Sequence, residues 1–165
     1  MIVNIKKLND KAVTPSRGSE YAAGYDLYAN FNGDTLTIPA GETVKVGTGI
    51  AMEIPDGLFG AVFARSGLAT KQGLRPANGV GVIDSDYRGE IIVALHNDSK
   101  ADKTVQNGER IAQIVIIPFL KAEFNEVDEL SDTERGEGGF GSTDISSEQL
   151  NIFDYVDREV TNHIN

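Results

Sequence analysis

The stretch ETVKVGTGIAMEI, residues 42–54, sets Val44, Val46, Thr48, Ile50, Met52 and Ile54 on alternate positions. Successive side chains of a strand point to opposite faces, so this period of two predicts a half-buried strand and argues against a helix. Outward from it, EIIVALH (90–96) and RIAQIVIIPF (110–119) are nearly continuous runs of apolar, β-branched residues. That is the pattern of strands covered on both faces. Turn formers part the runs: NGD at 32–34, PAG at 39–41, PDG at 55–57, NDSKAD at 97–102 and QNG at 106–108. Many short strands with frequent turns predict an all-β sandwich or barrel.

Helices are expected to be few. SGLATKQ (66–72) reads as a short one. In the extension 145–165, Leu150, Phe153, Val156 and Val160 fall near helical spacing, and Ser146 and Gln149 have the spacing of a capping box. A helix packed on an assembly, a partner-binding appendage and a solvated tail are all consistent with this extension. NEVDELSDTER (125–135) is acidic and polar and reads as a linker. The segment after it would then hang on a flexible connector, as a lid or arm does.

The 165 residues, 40% of them hydrophobic, suffice for one domain with a sizeable core. No apolar run approaches the roughly 18 residues of a membrane helix. The opening MIVNIKKLND lacks the long apolar stretch of a secretion signal, and cysteine is absent. Disulfides and thiolate metal sites are therefore excluded, and a cytoplasmic location is expected. With 25 acidic against 15 basic residues the net charge is −10. Direct nucleic-acid binding is not expected from such a balance. A polyanionic ligand would need a local cluster of cations, backbone amides or a divalent metal. Arginines do sit beside glycines at 65–67 and 135–141.

Five segments carry possible chemistry. In NGVGVIDSDYRGEI (78–91), Asp84 and Asp86 flank a serine; on an extended strand they would share one side. An aspartate at a strand end can activate water as a general base. DSD also reads as a solvated turn in which Asp84 caps a local amide. RSGLA (65–69) at a strand-to-helix junction could present amides, a hydroxyl and a guanidinium to phosphate. It also reads as a plain helix start capped by Ser66. Asp26 stands among small and aromatic residues in AAGYDLYA (22–29), where pairing with an arginine competes with a metal role. Gln113 interrupts the apolar run of GERIAQIVI (108–116) and must find polar partners, on the backbone or on a ligand. RGEGGFGSTD (135–144) reads either as a disordered tail or as an arm. In an arm, glycines would let amides approach phosphates while Phe140 stacks on a base.

Taken together and in this order, AGYDLYA, RSGLA, NGVGVIDSDYRGEI, GERIAQ and RGEGGFGST resemble the five motifs of the trimeric dUTP pyrophosphatases, the dUTPases. The likeness runs over residues 23–143. It implies a jelly-roll-like β-subunit over 1–134 with at most one or two short helices. It further implies a homotrimer with shared active sites, in which the glycine-rich arm 135–144 of one subunit closes a neighbour's site. The implied reaction is hydrolysis of dUTP to dUMP and pyrophosphate with Mg²⁺, which limits uracil in DNA and supplies dUMP for dTMP synthesis.

By the same resemblance, Asp84 is the base that activates water for attack on the α-phosphorus, and Asp26 reaches the metal through bound waters. Asn78 contacts uracil with main-chain groups of its hairpin at Gly79 and Ile83. Tyr87 packs under the deoxyribose. Arg65, Ser66, Gly67 and Gln113 hold the α- and β-phosphates. Arg135, Ser142 and Thr143 hold the γ-phosphate, Gly141 lies among the binding positions, and Phe140 stacks over uracil. The sequence departs from the family at Asp144, where glycine is usual; its carboxylate is expected to face solvent. Two other readings stand beside this one: an enzyme like the dCTP deaminases, alone or bifunctional, and a dUTP-gated regulatory binding protein.

Overall fold

The computed structural model describes residues 1–139. Met1–Ala122 form one compact unit, and a second unit begins at Glu123. The strands of the first unit are β1 (Asn4–Lys7), β2 (Ser16–Arg17), β3 (Tyr25–Tyr28), β4 (Thr35–Ile38), β5 (Thr43–Gly47), β6 (Ile50–Glu53), β7 (Leu58–Phe63), β8 (Leu74–Pro76), β9 (Gly81–Ile83), β10 (Ile92–Asn97), β11 (Lys103–Gln106) and β12 (Arg110–Pro118). One helix, α1 (Ser66–Gln72), follows β7. Over the described residues the fold is all-β, with one short helix where SGLATKQ placed it.

Every pairing is antiparallel. The strands order as β2-β3-β12-β7-β9, β5-β10-β8, β11-β4 and β1-β6. One apolar core joins all four sheets. It includes Leu27 of β3, Ile38 of β4, Ile50 of β6, Leu95 of β10, Val105 of β11 and Ile111 of β12. The two apolar runs became β10 and β12, each with a neighbour on both edges; in β10 burial alternates, with Val93, Leu95 and Asn97 buried and Ile92 exposed, so the expected cover on both faces is not seen there.

The stretch 42–54 is two strands rather than one. Its period of two survives: Val46, Thr48, Ile50, Met52 and Ile54 are all buried. The backbone breaks at Gly49, whose φ of +66° suits glycine. There the chain changes partners, from β10 beside β5 to β1 beside β6. Periodicity reports which face is buried and is blind to a change of neighbour. Thr48 stabilises the break: its hydroxyl donates to the Ile91 carbonyl at 2.7 Å while the side chain is 1% exposed. Thr48→Val keeps the shape but leaves that carbonyl without its donor. It is expected to cost about 1–2 kcal/mol of stability, read as a shift of the urea midpoint at constant slope.

Among the described residues no helix is long and apolar enough to cross a membrane. His96 lies on the outer three-stranded sheet, between Thr43 Oγ1 at 3.0 Å and Asp98 Oδ1 at 3.3 Å.

Candidate active site

Sheet pairing assembles the first cluster. β12 runs between β3 and β7, so Gln113 stands opposite Asp26 on one side and Phe63 on the other. Arg65 follows Phe63 by two residues and turns the chain into α1. Three segments far apart in sequence therefore meet at one row of the sheet.

Asp26 is only 8% exposed, and both its oxygens are engaged. Arg65 Nε donates to Oδ1 at 2.8 Å, and Arg110 Nη1 donates to Oδ2 at 3.3 Å. Arg65 Nη1 also donates to the Arg110 carbonyl at 3.3 Å. The arginine pairing anticipated for Asp26 is thus present, and it is double. Gln113 Nε2 donates to the Ala64 carbonyl at 2.9 Å. A β-carbon at Gly24 would come within 2.5 Å of Gln113 Oε1. The missing side chain at Gly24 is what leaves room for the Gln113 amide.

These groups line a cleft of about 440 Å³ whose walls include Gly24, Asp26, Arg65, Ser66, Gly67 and Gln113. Its charged lining is Arg65, Lys71 and Arg110 against Asp26 and Glu109, a local excess of one positive charge on a chain of net −10. Ser66 does not cap α1. The cap position is Arg65, with φ −86° and ψ 129°, and no side chain caps the first amides. The head of α1 therefore presents its first amides and the Ser66 hydroxyl at the cleft.

Lys71 is a cleft residue that sequence reasoning missed. The available signal was its spacing: it lies four residues after Gly67, on the same face of a helix. Arg110 pairs with Asp26 and also lines the cleft.

The second cluster lies on the connection from β8 to β9; the hairpin expected there is corrected, because β8 pairs with β10 and β9 with β7, in different sheets. The turn in this connection is closed by the Gly79 amide on the Pro76 carbonyl at 3.1 Å, with φ +71° at Gly79. Asn78, Gly79 and Asp84 are exposed, and Ile83 is half-buried. The expectation that Asp84 and Asp86 share one side of a strand is corrected. β9 ends at Ile83, and Asp84–Tyr87 is a turn closed by the Tyr87 amide on the Asp84 carbonyl at 3.2 Å. Asp86 lines a separate groove with Asn4, Glu53, Asp56 and Arg88, which Asp84 does not line. Arg88 holds the turn through the Ser85 carbonyl at 2.7 Å and the Tyr87 carbonyl at 3.1 Å.

The two clusters do not meet within the chain. None of Asn78, Gly79, Ile83, Asp84 and Tyr87 lines the Asp26 cleft. β3 and β9 are separated by β12 and β7. At about 4.8 Å per strand, that separation is roughly 14 Å.

In the second unit, Arg135 Nε donates to the Gly138 carbonyl at 2.8 Å, inside a turn where the Gly136 amide donates to Thr133 Oγ1 at 3.1 Å. Phe140, Gly141, Ser142 and Thr143 lie outside the described residues, as do Asp144 and the extension 145–165.

The dUTPase family model matches residues 10–144. A deoxyuridine 5'-triphosphate nucleotidohydrolase of Desulfitobacterium hafniense is 53% identical over 133 residues, 80% of this chain and 87% of that protein. Its counterpart in Paramecium bursaria Chlorella virus 1 is 45% identical over 141 residues, 86% of this chain and 96% of that protein. Among solved structures, the dUTPase of Staphylococcus bacteriophage 80alpha with dUPNHPP superposes with a TM-score of 0.78 at 29% identity. The match covers 87% of this chain and 99% of that one.

Proposed function

The chain belongs to the dUTPase family, and from that premise we propose that it hydrolyses dUTP with the residues described above. It is a dUTP diphosphatase. The observation that carries the finer reading is the cleft in which Asp26, Arg65, Ser66, Gly67 and Gln113 converge with a net positive lining. A triphosphate would be repelled by the chain as a whole and is attracted there.

Arg65, the Ser66 hydroxyl, the Gly67 amide and Gln113 hold the α- and β-phosphates. Arg135, Ser142 and Thr143 of the arm, with Gly141 beside them, hold the γ-phosphate, while Phe140 covers the uracil. Asn78 and the main chain at Gly79 and Ile83 read the base. Uracil offers an N3–H donor between two carbonyl acceptors. Cytosine lacks that proton and turns one acceptor into a donor, so a rigid main-chain edge would be left with unpaired groups. Asp84 takes a proton from water as its oxygen bonds to the α-phosphorus, and the bond from that phosphorus to the bridging oxygen breaks. The leaving pyrophosphate carries the charge away, stabilised by the arginines.

Among the described residues no three His, Asp or Glu side chains are placed to hold a metal. That donor set fits Mg²⁺ carried on phosphate oxygens and waters rather than in a protein cage. Of the two cleft carboxylates, Glu109 Oε2 accepts from the Gln106 amide in its own turn at 2.9 Å. Asp26 keeps lone pairs beyond the two its arginines use, and it would hold the ion through water. Bound Mg²⁺ supplies charge neutralisation on the phosphates.

The roughly 14 Å between β3 and β9 supports a shared site. In a homotrimer, the β8–β9 segment of one subunit would complete the cleft of another, and the arm would close over both.

Pyrophosphate release from dUTP, UTP, dTTP and dCTP tests the reading. dUTP is expected to exceed each of the others in kcat/KM by at least about 10²-fold. Comparable rates on all four would overturn it, and ammonia from dCTP would favour the deaminase reading.

A further inference from the structure

Gly89 has no conformational reason to be glycine, since its φ lies outside the left-handed region that the other turn glycines occupy. It has a steric one. A β-carbon there would stand 2.5 Å from Tyr87 Cζ and 2.9 Å from Cε2, and closer still to the phenolic oxygen. The phenolic end and one edge of the Tyr87 ring are what approach position 89, and the hydroxyl donates to the Glu90 carbonyl at 3.0 Å. The ring is seated on the chain along that edge while 44% of the residue remains exposed. An aromatic ring is rigid, so with its phenolic end and one edge held, the height of the rest of the ring is held too.

We propose that Gly89 is a specificity-determining position: its missing side chain is the seat that sets the height of the Tyr87 ring, and so decides whether a 2'-hydroxyl fits. This rests on the proposed placement of the deoxyribose against Tyr87. Any side chain at position 89 lifts the ring or breaks its tether to the Glu90 carbonyl. The sugar pocket then loses the hard floor that distinguishes deoxyribose from ribose. Gly89 acts through Tyr87 and touches no substrate atom itself.

The test is a double-mutant cycle on the dUTP-to-UTP ratio of kcat/KM, using the full chain. Gly89→Ala is expected to lower the ratio about tenfold or more. In a Tyr87→Ala background, adding Gly89→Ala is expected to change it by less than about twofold. An unchanged ratio in the single variant, or an equal fall in both backgrounds, would overturn the proposal. Should Gly89→Ala fail to fold, the double variant decides: recovered thermal stability supports the seat, and continued loss refutes it. Ring displacement is also read without turnover, from the ¹³C-tyrosine resonance of Tyr87 in ligand-free protein, assigned with Tyr87→Phe. A wild-type chain with no preference for dUTP over UTP would sink the functional reading instead, whatever the resonance shows.

Discussion

Asp84→Asn is expected to lower kcat on dUTP by roughly 10³-fold while leaving nucleotide affinity within about threefold. Asparagine keeps the size and the hydrogen-bonding reach of the side chain but cannot accept a proton from water. The fold should tolerate it, because Asp84 is exposed and its part in the local turn is played by its main-chain carbonyl. Affinity should hold or rise slightly, since a negative charge near a polyanion is removed. Equilibrium binding of an imido analogue of dUTP, paired with single-turnover hydrolysis, separates the two quantities. Turnover within about tenfold of the parent would mean that another group activates the water. A parallel loss of binding would make Asp84 a structural residue of the turn after β9.

Much of this arrangement was legible in the residues, and what was not has a common cause. Local patterns carried well. The period of two in 42–54 gave the buried face, and the apolar runs gave β10 and β12. The seven residues 66–72 gave the helix, because hydrophobic alternation and turn chemistry act over a few positions. Asp26, Arg65, Ser66, Gly67 and Gln113 were each singled out, and one cleft contains all five. Their convergence was not legible, because it depends on β12 lying between β3 and β7, a pairing of segments some 50 to 90 residues apart.

The same long-range order hid the distance between Asp26 and β9. It also hid the change of partner at Gly49, where an unbroken alternation masks two strands in different sheets. For DSD two readings were open, a strand and a solvated turn, and the turn is the one that forms. An alternation of acids invites a strand, yet Asp and Ser are turn formers, and the Tyr87 amide closes back on Asp84 as soon as β9 ends.

Asp26→Asn is expected to raise the Mg²⁺ concentration for half-maximal activity at least about tenfold and to lower kcat/KM for dUTP by roughly 10²-fold. Two effects add. An amide is a poorer acceptor for metal-bound water than a carboxylate, which weakens any link from β3 to the ion. The second effect is in the arginines. Asp26 is the counter-charge between two guanidinium groups, at 2.8 Å from Arg65 and 3.3 Å from Arg110. Charge-assisted bonds of this kind fix where a guanidinium points.

With an amide in place of the carboxylate, Arg65 would keep its contact to the Arg110 carbonyl but lose the partner that aims it at the cleft. The cleft would become more positive, from an excess of one to an excess of two, so electrostatic attraction of the nucleotide would increase. A fall in kcat/KM despite that gain would show that orientation, rather than net charge, is what Asp26 supplies. Titration of Mg²⁺ at saturating dUTP, set beside analogue binding with and without the metal, reads the two effects apart. An unmoved Mg²⁺ midpoint would remove the water-mediated metal role while leaving the arginine clamp. An unmoved kcat/KM would remove both.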